Sequence, residues 1–274
     1  MGFPDCMIDC HCHIADPQFN EDVDDVIQKA REANVKGIVA VPEFPSDFIN
    51  VIAIADRYPD IILPCLGLHP VQEAKEDGKH RSVTVEEFER VVPLIEKHHG
   101  RIGGVGEVGL DFLPKFVQGE NDKDAQRKVF KCQIDLAKKY DLPLNVHSRS
   151  AGKPVVAWLK EHGAEKVLLH AFDGRSAVAL EGVQAGYFFS IPPCALHSPQ
   201  KQKLIEVVPI DNLLLETDSP VLGPDKHIRN VPSNVVVSCD IIAKTKCMDP
   251  ADVRRITSEN ALKLFPRLKD IIEM

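Results

Sequence analysis

The stretch IDCHCH, residues 8–13, is the part of the sequence from which both the fold and the chemistry can be argued. In an extended strand, side chains two residues apart lie on the same face, so Asp9, His11 and His13 share one side of the chain. Two imidazoles then converge on one point, and neutral imidazole is a common nitrogen ligand of transition metals. An isolated His-x-His is more often a pair of solvated loop histidines, so the rest of the chain decides between that interpretation and a metal site.

Strand-like and helix-like segments alternate along the rest of the chain. Short apolar runs predict buried strands at residues 8–13, 37–41, 61–67, 101–107, 142–147, 166–170, 187–191 and 212–216. Apolar residues at helical spacing predict helices at 22–34, 46–58, 84–98, 122–140, 152–162, 176–185, 198–208 and 232–246, with a closing helix from about residue 250. Ser46 and Thr84 are expected to cap the second and third of these helices.

This alternation implies parallel strand pairing, and eight strand–helix units indicate a closed (β/α)8 TIM barrel, α/β in class, as one domain over residues 1–274. The alternative is an open doubly wound sheet, which would usually carry a glycine-rich phosphate loop after an early strand. No such fingerprint is present, and the glycines of residues 103–106 fall inside a predicted strand. We interpret them as close packing in the barrel wall, with a phosphate cradle as the second choice.

The composition limits the partners and the compartment. Hydrophobic residues make up 44%, charged residues 27%, and the net charge is -8, which argues against a broad basic surface for phosphate backbones. The eight cysteines are scattered, as is typical of reduced thiols in an intracellular protein of the cytoplasm, the nucleus or both. No signal peptide or membrane span is predicted, and a monomer is favoured.

Potential metal ligands stand at the predicted C-terminal ends of several strands, which is where barrel enzymes carry their reactive groups. Any one of them alone could be a hydrogen-bonded residue of the barrel rim. Together they form a concave set of nitrogen and oxygen donors that suits two divalent cations with a carboxylate between them, and the lack of thiolate disfavours a closed structural zinc site. These residues are His11, His13, Glu107, His147, His170, Glu216 and Asp218.

Eight short motifs extend this pattern over nearly the whole chain. They are IDCHCH (8–13), GLHP (67–70), GEVGLD (106–111), LPLNVHSR (142–149), HAFDG (170–174), LLETDSP (214–220), RNVP (229–232) and SENA (258–261). In order and spacing they resemble the TatD family of metal-dependent deoxyribonucleases. The chain departs from many relatives at Val71-Gln72 and at Ala171, neither of which is a proposed ligand.

The resemblance implies an amidohydrolase-like barrel that hydrolyses phosphodiester bonds of DNA at a two-metal site. It assigns His11, His13 and Asp218 to one metal, Glu107 to the bridge, and His147 and His170 to the second metal. Glu107 and Asp218 are then the catalytic residues, and the cations are zinc, magnesium or manganese. Glu216 would share a face with Asp218, so the sequence pattern alone does not choose between these two acids. Only the family resemblance points to Asp218 as the ligand. The expected partner is DNA, single-stranded or at an end, with 3′–5′ exonuclease cleavage as one version.

Three further residues are candidates for binding the substrate phosphate. Arg149 lies two residues after His147 and would face the same side, where its guanidinium could hold a phosphate or form a rim ion pair. His69 and Ser148 are weaker candidates. Loops at 71–83 and 113–122 are expected to overhang the mouth of the barrel.

Two other functions fit a barrel with His-x-His. One is metal-dependent hydrolysis of small amide, lactone or phosphoester substrates, which in related barrels often uses a carbamylated lysine on the fourth strand. Here that strand ends in Glu107 and offers no lysine, which favours the nuclease. The other is a non-enzymatic metal-storing barrel, which the complete donor set disfavours.

Overall fold

The computed structural model describes residues 6–73 and 79–273. Within these residues, ten strands and ten α-helices follow one another along the chain. The strands are β1 (Met7–Cys12), β2 (Val35–Ala40), β3 (Ile62–Pro64), β4 (Val71–Glu73), β5 (His80–Ser82), β6 (Val105–Gly109), β7 (Leu144–His147), β8 (Val167–Leu169), β9 (Phe188–Ile191) and β10 (Leu213–Leu215). The helices are α1 (Val23–Glu32), α2 (Asp47–Arg57), α3 (Val85–His98), α4 (Glu120–Lys139), α5 (Gly152–Glu161), α6 (Ser176–Gln184), α7 (Pro199–Val207), α8 (Val235–Lys246), α9 (Pro250–Leu264) and α10 (Leu268–Ile272).

Eight of the strands form a parallel barrel. They pair in the orders β1-β2-β3 and β6-β7-β8-β9-β10. A parallel bridge between Cys65 and Gly104 continues the pairing from β3 to β6. At the other junction, the amide of Asp218 donates to the carbonyl of His11 at 2.9 Å, and the amide of His13 donates to that of Ser219 at 2.8 Å. The predicted (β/α)8 barrel is confirmed.

The helix ends depend on local hydrogen bonds. Thr84 begins α3 with a capping box, in which its hydroxyl accepts from the amide of Glu87 at 3.3 Å and the Glu87 carboxylate accepts from the amide of Thr84 at 2.9 Å. The predicted cap at Ser46 is wrong, because its backbone is already helical (φ -60, ψ -28) and its side chain caps no amide. Instead, the Asp47 carboxylate accepts from the amide of Phe44 at 2.8 Å.

The last two helices cover the N-terminal end of the barrel. Apolar side chains inside the barrel, among them Leu63 and Leu214, pack against Phe265 and Leu268 of this helical segment. The Asn260 side chain donates to the carbonyl of Leu213 at 2.9 Å, at the start of β10. The closed end therefore lies at the N-terminal ends of the strands, and the open mouth lies at their C-terminal ends.

The segment between β3 and α3, expected as a loop, contains the antiparallel pair β4 and β5. Residues 74–78 of that predicted loop lie outside the described residues. The second expected loop is shorter than predicted, because α4 already begins at Glu120. Among the residues that the structure describes, no helix combines the length and the apolar character needed to cross a membrane.

Candidate metal centre

The C-terminal ends of the barrel strands bring together all six side chains that the resemblance assigns as ligands. His11 lies in β1 and His13 directly follows it, Glu107 lies on β6, His147 ends β7, and the remaining two follow β8 and β10. All are buried except His13, whose side chain is 15% exposed. The set of six is His11, His13, Glu107, His147, His170 and Asp218.

The first donor group, as we call it, consists of His11, His13, Asp218 and one oxygen of Glu107. The Nε2 atoms of the two histidines and Oδ1 of Asp218 lie 3.4 Å from one another. Glu107 Oε2 lies 3.6 Å from His11 Nε2 and 3.4 Å from His13 Nε2. Ligand atoms about 2.1 Å from a tetrahedral ion are about 3.4 Å apart, so these atoms match the spacing of a tetrahedral shell.

The second donor group surrounds the other oxygen of Glu107. Its Oε1 lies 2.8 Å from His147 Nδ1 and 2.8 Å from His170 Nε2, and these two nitrogens are 3.4 Å apart. His69 Nε2 is farther away, at 3.6 Å from the same oxygen. The two oxygens of Glu107 therefore face two different sets of histidines, as a carboxylate between two cations must.

Polar partners that sequence reasoning missed hold the outer nitrogens of two histidines. Asn145 Oδ1 lies 2.8 Å from His11 Nδ1, and its Nδ2 donates to the Cys10 carbonyl at 3.0 Å. Asp111 Oδ2 lies 3.2 Å from His147 Nε2. Both residues stand in the family motifs, which was the available signal, but nothing in the sequence says which histidine each contacts.

Two fully buried glutamines of α4 clamp the backbone beside the site. Gln126 accepts from the Asp111 amide at 2.8 Å and donates to the Asp111 carbonyl at 2.9 Å. Gln133 forms the same pair of bonds with Leu68, at 2.7 and 3.0 Å. Because residues seven apart lie on one face of a helix, α4 holds the chain before His69 and after β6 together. Polar residues at this spacing on an apolar face were the signal.

Two other acidic residues of the strand ends, Asp9 and Glu216, lie outside the two donor groups around Glu107, although Glu216 Oε2 lies 3.8 Å from His170 Nδ1 and forms a third cluster of donors with His11 and His170. Asp9 accepts from the amide and hydroxyl of Thr217, at 2.8 and 2.5 Å. The expected alternation fails there because the register of β1 against β2 shifts between Asp9 and Cys12. Glu216 accepts from the Ser190 hydroxyl at 2.5 Å, and burial raises its pKa to about 8.

Glu107 and Asp218 keep their negative charge although both are buried. Burial raises the pKa of each carboxyl, but the surrounding histidines, among them His147 at hydrogen-bond distance from Glu107 and His11 hydrogen-bonded to Asp218, outweigh it and hold both pKa values well below normal. Burial also opposes the charge of His13, but the hydrogen bond to Asp218 raises its pKa to about 10. Glu107 and Asp218 thus supply the negative charge that a divalent cation needs, and a bound cation would replace the proton on His13.

Two of the three predicted phosphate contacts, His69 and Arg149, lie beside the second donor group. Arg149, with a side chain 44% exposed, donates to Asp111 Oδ2 from Nε at 2.7 Å and pairs with it through Nη2 at 2.6 Å. The rim ion pair, the alternative considered above, is therefore present. His69 is buried, and the backbone amide of Val71 donates to its Nδ1 at 3.1 Å. Ser148 is buried directly after His147.

A parallel eight-stranded barrel with histidines and carboxylates gathered at its C-terminal mouth defines the class of barrel metal-dependent hydrolases. The family model described as TatD related DNase matches residues 8–266, and the chain belongs to this family. Human deoxyribonuclease TATDN3 is 50% identical over 267 residues, which cover 97% of this chain and 97% of the human protein. The resemblance argued from the motifs is confirmed.

More distant relatives share the same extent. The Bacillus subtilis metal-dependent hydrolase YabD is 32% identical and covers 94% of this chain, with 98% of its own length matched. The solved structure of YjjV, a TatD homologue from Escherichia coli, superposes with a TM-score of 0.82 at 26% identity, over 95% of this chain and 98% of YjjV. The barrel fold is therefore shared with this TatD homologue.

Proposed function

We propose that this chain is a metal-dependent deoxyribonuclease that hydrolyses phosphodiester bonds of DNA, with its single barrel domain carrying the whole activity. The observation that carries the proposal is the position of Glu107, whose Oε1 and Oε2 face separate sets of histidines. A shared carboxylate between two nitrogen-rich groups is the arrangement that two-metal hydrolysis requires. Membership of the TatD related DNase family supports the choice of DNA as the substrate.

The donor groups would hold one cation each, with Glu107 shared. Cations bound here would lower the pKa of a water molecule from 15.7 toward about 7 and neutralise the charge of the phosphate. His11, His13 and Asp218 would be the other ligands of the first cation, and His147 and His170 would be the other ligands of the second cation. Four imidazoles suit zinc, while the carboxylates admit manganese or magnesium.

Side chains of the chain would then position the substrate and move a proton. Asp218 lies at the edge of the first donor group, where its carboxylate can orient the attacking water and accept the proton that the water loses. The water oxygen forms the new bond to phosphorus, and the bond to the leaving oxygen breaks. We expect Arg149, His69 and Ser148 to contact the phosphate. His69 lies 3.6 Å from Glu107, Arg149 pairs with Asp111 beside His147, and Ser148 directly follows His147 in the chain.

The charge of the molecule limits how DNA can bind. With a net charge of -8, a long tract of phosphates would be repelled, so attraction must be local to the cations and to Arg149. A single strand or a strand end fits this requirement, and stepwise 3′–5′ removal of nucleotides is its simplest form. None of the eight cysteines, all of which lie within the described residues, forms a disulfide, which supports an intracellular location, in the cytoplasm or the nucleus, and we take the monomer as the active form.

The test uses a single-stranded oligonucleotide labelled at one end. Wild-type protein with zinc, manganese or magnesium should cleave it, whereas Glu107→Ala and Asp218→Ala should lose at least about 100-fold in rate, since residues that bind the cations directly matter more than the partners that orient them. Glu165→Gln, an exposed acid at the N-terminal end of the barrel, serves as the control and should cleave normally. Cleavage that persists in excess chelator would refute the proposal, and small esters assayed in parallel would identify a hydrolase of another substrate class.

A further inference from the structure

Asp111 connects the second donor group to the guanidinium of Arg149. Its carboxylate is fully buried, and Oδ2 accepts from His147 Nε2 at 3.2 Å and from Arg149 Nε at 2.7 Å. The other oxygen, Oδ1, accepts from the amide of Leu113 at 2.9 Å. Gln126 holds the Asp111 backbone through both its amide and its carbonyl. The carboxylate is therefore fixed on every side before any ion or substrate is considered.

The contact with His147 decides which ring nitrogen can serve as a ligand. A neutral imidazole carries one proton, and the nitrogen that donates it cannot bind a metal. Because a carboxylate only accepts hydrogen bonds, Asp111 requires the proton to be on Nε2. Nδ1, which lies 2.8 Å from Glu107 Oε1, then keeps its lone pair for a cation.

Asp111 also fixes the orientation of the Arg149 guanidinium. Nε and Nη2 both face Asp111, and the described part of the chain offers Nη1 no hydrogen-bond partner. The guanidinium also lies over the ring of Phe116, with its carbon 5.3 Å from the ring centre. The paired edge of the guanidinium is thus turned toward the barrel, and Nη1 remains available for an anionic ligand.

We propose that Asp111 is a positioning residue that locks His147 with Nδ1 toward the second cation and holds Arg149 as a phosphate clamp beside it. This inference rests on the two-cation centre of the proposed function. Because the Asp111 carboxylate holds both His147 and Arg149, the affinity for the second cation and the binding of substrate both depend on Asp111.

Asp111→Asn separates this role from simple packing, because it keeps the size of the side chain and inverts one set of hydrogen bonds. If the amide oxygen keeps the bond from Leu113, the new NH2 group faces His147 Nε2 and favours the tautomer with the proton on Nδ1. That tautomer cannot bind the second cation. We expect the second ion to bind about 10–100-fold more weakly, with the first ion unaffected.

The experiment titrates metal-free protein with zinc and then with manganese in a calorimeter, and measures oligonucleotide cleavage in parallel. Arg149→Ala should keep both ions and raise KM more than it lowers kcat, whereas Asp111→Asn should lower kcat. Asp141→Asn, an exposed Asp at the far end of the barrel, is the control for the change of charge and should behave as wild type. Gln126→Met, which frees the Asp111 backbone without altering the carboxylate, provides a second test and should weaken the second ion by a smaller factor.

The outcomes separate this inference from the proposed function. Selective weakening of the second ion in Asp111→Asn, with both ions kept in Arg149→Ala, supports the role of Asp111. If a folded Asp111→Asn binds both ions with the affinities of the wild type, the inference alone is overturned. Where Asp111→Asn does not fold, the same result in a folded Gln126→Met overturns it. A wild-type protein that binds fewer than two ions overturns the two-cation centre and this inference with it.

Discussion

At the scale of single residues, each donor group has one histidine whose outer nitrogen is held by a polar side chain from another strand or from the segment that follows it. For the first group that partner is Asn145, which lies 2.8 Å from His11 Nδ1 and also donates to the Cys10 carbonyl. An amide can both accept from the ring and donate to the backbone, so one side chain satisfies two buried groups. Asn145 should therefore control the first ion as Asp111 controls the second.

Asn145→Ala should lower the affinity for the first ion about 10–100-fold and leave the second ion unchanged, because the His11 ring loses the bond that orients it. The unpaired Cys10 carbonyl should also cost about 1–3 kcal/mol of stability. Calorimetric metal titration and urea denaturation measure the two effects. Asn212→Ala, which removes a similar amide–carbonyl bond to Tyr187 at the other end of the barrel, is the matched control. Equal loss of both ions in Asn145→Ala would contradict this prediction.

The residues that could be found from sequence are those whose meaning lies in position along a strand. Histidines and acids at strand ends point to a donor set once a barrel is assumed, because the C-terminal strand ends meet at one mouth. Supporting residues are different, since His11 and Asn145 are 134 residues apart and the sequence does not say that they touch. Asp9 shows the limit of simple alternation, which a shift of strand register cancels.

At the scale of elements, α3 offers a stability test that leaves the donor groups untouched. Thr84→Ala removes the hydroxyl that accepts from the Glu87 amide and should lower the free energy of unfolding by about 1 kcal/mol. Thr84→Ser keeps the hydroxyl and should restore most of that loss. Urea denaturation gives the stability, and cleavage of a labelled oligonucleotide at a temperature well below unfolding should not change. A fall in cleavage at full folding would mean that α3 also shapes the mouth.

The identity of the helices and strands was predictable, but several boundaries were not. Apolar spacing marks α1, which buries Val23, Val26, Ile27 and Ala30. No such spacing marks β4 and β5, which have three residues each and pair only with each other among the described strands. At Ser46 the residue type suits a cap, but the turn continues through it and Asp47 takes the nearby amides.

At the scale of the whole molecule, removing the cations should destabilise the barrel. An ion that binds only the folded protein, present at about 100 times its Kd, adds about 2.7 kcal/mol. For a chain of this size that corresponds to a rise in Tm of about 5–10 °C. Thermal unfolding with zinc and with excess chelator should differ by at least this amount. Glu107→Ala should show a smaller difference than Glu165→Gln, and an identical difference in the two variants would argue against a shared ligand.

Closure of the barrel was predictable from the count of eight strand–helix units, because parallel strands with helical connections need both faces covered. The seal at the N-terminal end was not. The closing helix was expected from its apolar residues, but its contact with Leu63 and Leu214 inside the barrel requires knowing which ends of the strands are exposed. Long-range packing of this kind leaves no periodic trace in the sequence.

The junction between the first and last strands has one more consequence. The amide of Asp218 donates to the carbonyl of His11, and the amide of His13 donates to the carbonyl of Ser219. The residues of the first donor group therefore also join the first and last strands of the barrel. A cation held there would stabilise the junction of β1 and β10, and its loss would allow the sheet to open locally at that point. Deuterium uptake at those two amides should then speed up on chelation, while uptake along β7 and β8 stays slow.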